Sequence, residues 1–214
     1  MKRWSIAHSI RHEEGAYAGD VVAAGLPRAV RIVAILNLAY FGVEFAVALA
    51  IGSVSLFADS IDFFEDASVN FLILVALAWS APRRAQVGMA LAGILLIPGL
   101  ATLWTAWTKF ATPVPPAPLP LSLTGAGALA VNLSCAILLA RYHRHAGSLA
   151  RAAFLSARND VLANIAIVAA GLATACVRSA WPDLIVGLGI ALMNADAAKD
   201  IYRAARAERR AAAP

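Results

Sequence analysis

SLFADSIDFFEDASVNFLILVALAW (residues 55–79) places Asp59, Asp62, Glu65 and Asp66 inside a run that is otherwise apolar. Whether this run crosses a membrane decides the fold. A carboxylate at the centre of a spanning helix costs about 2.5–3.5 kcal/mol on insertion scales, and each large apolar residue returns only about 0.3–0.6 kcal/mol. Insertion is feasible but strained. The rest of the chain favours it. Of 214 residues, 61% are hydrophobic and only 14% are charged, with a mean hydropathy of +0.72. A soluble domain carries about a quarter charged residues. The composition therefore reads as an integral membrane protein.

Six apolar spans can be drawn, at roughly 30–51, 55–79, 86–108, 120–140, 153–176 and 182–202. The proline-rich segment ATPVPPAPLP (111–120) reads as a stiff, extended connection leading into a helix start. The basic residues test this topology. With the N-terminus in the cytoplasm, Lys2, Arg3, Arg11, Arg28 and Arg31 flank the first span on the inside. Arg83 and Arg84 follow the second span, and Arg141, Arg144, Arg151 and Arg158 lie around the fourth connection. Lys199, Arg203, Arg206, Arg209 and Arg210 close the chain. Of 18 Lys and Arg residues, only Lys109 and Arg178 fall outside. That asymmetry satisfies the positive-inside rule for six spans with both termini cytoplasmic, and dropping the acidic second span would break it. The net charge of +5 is thus explained by topology, and a nucleic-acid partner is not expected.

The expected fold class is an all-α polytopic membrane protein. Its organisation is a short cytoplasmic segment (1–28), a six-helix transmembrane domain (29–204) and a short basic tail (205–214). The first twenty residues contain no apolar stretch of the kind a cleavable signal peptide needs. Cys135 and Cys176 lie within apolar runs and read as small buried hydrophobes, with no disulfide framework or zinc knuckle.

Helical spacing sorts the acids. Asp59, Asp62 and Asp66 are at i, i+3 and i+7, one face of a helix, which Asn70 continues; Glu65 lies to the side. Asp62 and Asp66 are one turn apart and can reach the same ion. Span five offers a matching stripe in Ser156, Asp160 and Asn164. Two polar helices meeting near the midplane is how many transporters build a site. Intramembrane carboxylates generally line a wet cavity or an ion path. Oxygen donors favour Mn²⁺, with Fe²⁺ or Co²⁺ also suited, and disfavour a dedicated zinc site. Carboxylates also exchange metal for protons. Asn37 and Glu44, seven apart in span one, read first as inter-helix hydrogen-bonding groups and second as ligands. Asp59 reads equally as a structural group or a ligand, and Glu65 as an inter-helix contact. Asp183, after Trp181-Pro182, reads as an acid favouring the start of its own helix. The bland alternative for Asp62, Asp66 and Asp160 is a hydrogen-bonded structural knot.

These residues resemble those of the cation diffusion facilitators, a cation efflux family. The resemblance runs through NLAYFGVEFAVALAIGSVSLFADSIDFFEDASVN (37–70), RNDVLANIAIVAAG (158–171) and WPDLIVGLGIAL (181–192). Ala58, Asp59, Asp62 and Asp66 fit the family's second-helix pattern. Trp181, Asp183, Ile185 and Gly187 fit the Trp-x-Asp-x-Ile-x-Gly pattern opening its last helix. The resemblance implies a six-helix exporter of divalent cations (Mn²⁺, Fe²⁺, Co²⁺ or Zn²⁺), exchanging metal for protons by alternating access. It further implies a homodimer in the plasma (inner) membrane, with no resident cofactor and no enzymatic activity. Carried over, the metal site is Asp62, Asp66, Asp160 and Ser156, with Asp59, Asn159, Asn70, Asn164 and Glu44 as secondary candidates. Span five departs from the family: Ser156 stands where His or Asp is usual, and Asn159 lies about 100° around the helix from Asp160. Members generally continue into a cytoplasmic metal-binding domain, whereas about a dozen residues follow span six here, so the resemblance is to the transmembrane domain. The rival readings are a non-transporting metal sensor or assembly partner, a transporter of another cation, and a metal-dependent lipid phosphotransferase. The Asp-Gly-x-x-Ala-Arg opening of the CDP-alcohol type of such phosphotransferases is missing from the sequence.

Overall fold

The computed structural model describes residues 2–76, 86, 100–140 and 147–193, with side chains for 25–72, 74, 86, 100–140 and 157–193. Within these, regular structure is entirely α-helical. Helix α1 spans Lys2–Ile51, α2 Val54–Ala76, α4 Pro118–Ala140, α5 Gly147–Val177 and α6 Trp181–Met193. The described part of α3 is 100–111. The fold is an all-α polytopic membrane domain, as the composition requires. The first half of span three, the end of span six, the basic tail and His143 and His145 lie outside the described residues.

The first helix begins well before the expected span at 30, and runs through Pro27 from Lys2. Its apolar stretch is Gly25–Ile51; this, Pro118–Ala140 and Ala157–Val177 are the described segments long and apolar enough to cross a membrane. Helix α2 is 23 residues long but carries the four acids, so length and apolarity do not qualify it. Its environment does: Leu56, Ala58, Asp59 and Ser60 are fully buried, packed among the other helices. Large apolar side chains such as Ile35, Leu49, Leu123, Leu162 and Ile185 point outward instead, the arrangement suited to lipid.

Helix α1 ends in a Schellman motif. Gly52 takes a positive φ of 63°, and Ser53 N–H donates to Ala48 O at 3.0 Å, the bond that closes such a C-terminus. Helices α1 and α2 therefore fold back as an antiparallel hairpin with a two-residue connection. Aromatic pairs zip them together: Tyr40 on Phe63 at 5.2 Å, Phe41 on Phe64 at 5.2 Å and Phe45 on Phe57 at 5.5 Å. The two phenylalanines in the acidic stretch are thus packing residues for α1.

Helices α4 and α5 form a second closely packed pair. Small residues allow it. A Cβ on Gly125 would meet Ile167 at 2.7 Å, and one on Gly171 would run into Ser122 Oγ. Close approach at small residues is the usual membrane solution, because lipid supplies no hydrophobic drive between helices. Helix α4 starts with Pro118 and Pro120 in its first turn, where missing N–H groups cost nothing. The preceding 113–117 stretch has no regular structure, matching the expected stiff connection.

Two apolar layers cross the bundle. Toward the α1–α2 turn, Ala48, Leu56, Phe57, Ala58, Ile61, Leu121, Ala163, Ile167 and Ile190 pack together. Toward the opposite end, Val33, Cys135, Ala136, Leu139 and Ala157 form a second cluster. Between them lie the buried polar residues of four helices: Asn37 and Glu44 from α1, Asp59 and Asn70 from α2, Asn132 from α4, and Asp160 and Asn164 from α5. Cys135 is buried as expected, whereas Cys176 is exposed on the outer face of α5.

Candidate metal-transport site

Asp59, Asp62 and Asp66 project from α2 into this polar layer, and Asp160 reaches it from α5. Asp160 brings its carboxyl within hydrogen-bond reach of Asp66 and interacts electrostatically with Asp62 and Asp59. Asp62 interacts with both Asp59 and Asp66. The stripes expected from helical spacing therefore do face one another. They form a string of carboxylates along α2, with Asp160 set against Asp66. Among the described side chains, no three His, Cys, Asp or Glu groups converge closely enough to hold a metal ion. Ser156 lies in α5 one turn before Asp160, and its side chain is outside the described residues.

The polar layer is wired by amides. Asn37 Nδ2 donates to Asp66 Oδ2 at 3.4 Å, and Asn37 Oδ1 accepts from Cys135 Sγ at 3.7 Å. Asn164 Nδ2 donates to Asp59 Oδ2 at 2.6 Å, while Asn164 Oδ1 accepts from Asn132 Nδ2 at 3.0 Å. Asp59 is thus held by a chain of amides from α4 through α5. Asn37 takes the inter-helix role its position suggests. Asn70 turns its amide to Asp66 O on its own helix at 2.8 Å. Asn159 is exposed, away from the layer. Glu44 is fully buried; among the described residues no amide or hydroxyl donates to its carboxyl oxygens, and its contact across the helix interface is with the carboxyl of Asp59.

Two residues carry more than their sequence suggests. Asn132 is the one amide in the otherwise apolar α4, and that isolation was the available signal for it. Asp183 does not serve the start of its own helix. It accepts from Ser53 Oγ at 2.7 Å, Val54 N–H at 2.8 Å, Ser55 N–H at 3.1 Å and Ser55 Oγ at 2.7 Å. Ser53 Oγ in turn accepts from Leu56 N–H at 3.2 Å, and Phe57 N–H reaches Ser53 O at 3.3 Å. The orphan donors of the first turn of α2 are thereby all satisfied, and α6 is bolted to the helix that carries the acids. Gly187 makes this possible: a Cβ there would sit 2.7 Å from Ser55 N and from the Val54 carbonyl carbon. Lys109 Nζ donates to Gly52 O from α3 and closes the same corner.

The family model of the cation efflux transmembrane domain matches residues 30–207. The chain belongs to the cation efflux family. Comparison with curated proteins returns no match. A cation efflux domain is a transporter, and an integral membrane location follows from it and from the apolar helices. In this cation efflux domain, the Trp-x-Asp-x-Ile-x-Gly pattern has a physical reading. Asp183 caps α2, and Gly187, one turn later on the same face, lets α6 come close enough for it to do so.

Proposed function

We propose that this cation efflux domain exports a divalent metal ion through Asp62, Asp66 and Asp160, with Ser156 or a water as fourth ligand. The observation that carries the reading is the meeting of Asp66 with Asp160 between α2 and α5, in a layer closed by apolar residues at both ends. Three carboxylate donors suit Mn²⁺, Fe²⁺ or Co²⁺ over Zn²⁺. The spread arrangement of the carboxylates is what like charges adopt on their own; a divalent ion draws them together as cargo. When it leaves, protons are the natural replacement for its charge, so export is coupled to proton uptake by alternating access. Both termini face the cytoplasm of the plasma (inner) membrane, on the strength of the basic-residue asymmetry, and a homodimer is the working assembly.

The test is flux in proteoliposomes of the full chain with Mn²⁺, Fe²⁺, Co²⁺, Zn²⁺ and Cd²⁺, and a pH-sensitive dye inside. Asp66→Ala and Asp160→Ala abolish metal-dependent transport while the protein remains monodisperse. Undiminished flux in both variants rejects the site, and metal flux without any proton signal rejects the exchange.

A further inference from the structure

Glu44 of α1 is 0% exposed, and both Oε1 and Oε2 lack an amide or hydroxyl partner. Asp59 of α2 is also 0% exposed; Asn164 holds its Oδ2, and its Oδ1 has no such partner. The two carboxyls lie within hydrogen-bond reach of each other across the α1–α2 interface, acid against acid. Two carboxyls therefore meet in the interior, and among the described residues no amide, hydroxyl or basic group donates to Glu44 or to Asp59 Oδ1. Among the described residues no basic side chain answers them: Arg28, Arg31, Arg158 and Arg178 are exposed, and Lys109 is engaged with Gly52 O. Buried charges are ordinarily paired or coordinate a metal.

The pair shares no residue with the site proposed above and lies nearer the α1–α2 turn. Glu44 lies seven residues before the end of α1 and Asp59 five residues after the start of α2. At 1.5 Å per residue both sit about 8–11 Å below the turn, against about 12 Å for Asp62 and about 18 Å for Asp66, so the pair lies at the turn-side end of the string. They lie directly beneath the apolar layer at the turn end, which contains Ala48, Leu56 and Ala58. An ion held by Asp62, Asp66 and Asp160 leaves the oxygens of Glu44 without a ligand of their own. The Asn132–Asn164 chain fixes Asp59 by Oδ2 and leaves Oδ1 free for another contact. Tyr40, one turn before Glu44, gives its hydroxyl to Thr124 O at 2.6 Å instead.

We propose that Glu44 and Asp59 form a second divalent-cation station between the deeper site and the α1–α2 end of the bundle. Glu44 chelates through both oxygens and Asp59 through Oδ1, with water completing the shell. This rests on reading the chain as a divalent-cation transporter. Its role is to receive the ion leaving the deeper carboxylates before the last apolar layer opens.

The experiment counts Mn²⁺ bound to the full chain in detergent micelles, from the loss of the free aqua-ion signal in electron paramagnetic resonance. Glu44→Gln should bind one ion fewer per chain than the unsubstituted protein, and Glu44→Asp should retain that ion with roughly tenfold weaker affinity, about 1.4 kcal/mol. The double variant Asp66→Asn, Asp160→Asn should keep an ion that adding Glu44→Gln removes. Equal ion counts in Glu44→Gln and the unsubstituted protein overturn the station. If Glu44→Gln is not monodisperse, the double variant decides alone: a retained ion supports the station and complete loss overturns it. Should the double variant lose no ion, it is the deeper site that fails, which keeps the two readings apart.

Discussion

Asp183→Ala removes the side chain whose hydrogen bonds join α6 to the start of α2. Val54 and Ser55 N–H belong to the first helical turn and have no intrahelical acceptor, so both become buried orphans. A buried donor without an acceptor costs about 1–3 kcal/mol, giving about 2–6 kcal/mol for the two. The two serine hydroxyls lose less, since they already lie 3.3 Å apart and can bond each other. Removing a desolvated carboxylate returns part of the cost. The expected net loss is about 2–4 kcal/mol. At about 2–4 °C per kcal/mol for a chain of this size, thermal unfolding in detergent should fall by roughly 4–16 °C. Asp183→Asn keeps one acceptor oxygen and should fall about half as far. The reasoning fails if Asp183→Ala melts within about 1 °C of the unsubstituted protein. It fails equally if Asp183→Asn, which cannot accept both N–H bonds as a carboxylate does, is the worse of the two.

Asn164→Ala deletes the 2.6 Å bond to Asp59 and strands Asn132; metal flux should drop at least about tenfold, a 1.4 kcal/mol effect, with a smaller loss for Asn132→Ala. Flux in Asn164→Ala equal to the unsubstituted protein would show that Asp59 needs no such support. Ser156→His places a nitrogen ligand one turn before Asp160 and should shift competition between Zn²⁺ and Mn²⁺ toward Zn²⁺ by about tenfold or more, read from inhibition of Mn²⁺ flux by Zn²⁺; an unchanged ratio argues against a ligand at that position.

The helical class was legible because hydropathy and the one-sided Lys and Arg pattern are global signals that need no contacts. The facing of the α2 and α5 stripes was legible too, since helical spacing alone puts Asp62 and Asp66 on one face and Asp160 and Asn164 on another. What spacing cannot give is which partner each group finds across helices. Asp183 was assigned to its own helix start because local sequence favours an acid there. Its real task depends on Gly187 letting α6 approach a turn some 130 residues earlier in the chain, a relation no local window contains. Asn132 was passed over for the opposite reason: a single amide in an apolar span carries no periodic signal. Spacing suggests an inter-helix contact for Glu44 but not that its partner is another acid, Asp59, which only the packing of α1 on α2 decides.

The packing also indicates where such a transporter must yield. Helices α1 and α2 are zipped by aromatic pairs, and α4 and α5 are locked at Gly125 and Gly171. The junction between these pairs is where Asp66 meets Asp160, and like charges weaken that seam. Access from the turn end is blocked by the apolar layer containing Ile61, Leu121 and Ile167. Ile167 is 0% exposed and sits one turn beyond Asn164 on α5. If that layer is the barrier, Ile167→Ala should thin it without touching a ligand. Truncation costs about 2–5 kcal/mol in a packed interior, so the protein must be checked for monodispersity. In metal-free vesicles under an imposed pH gradient, the variant should leak protons several-fold faster than the unsubstituted protein. Metal binding in micelles should be unchanged, because no donor has been removed. An unaltered proton leak would mean that the barrier lies elsewhere, and that the seam opens by a movement in which this layer takes no part.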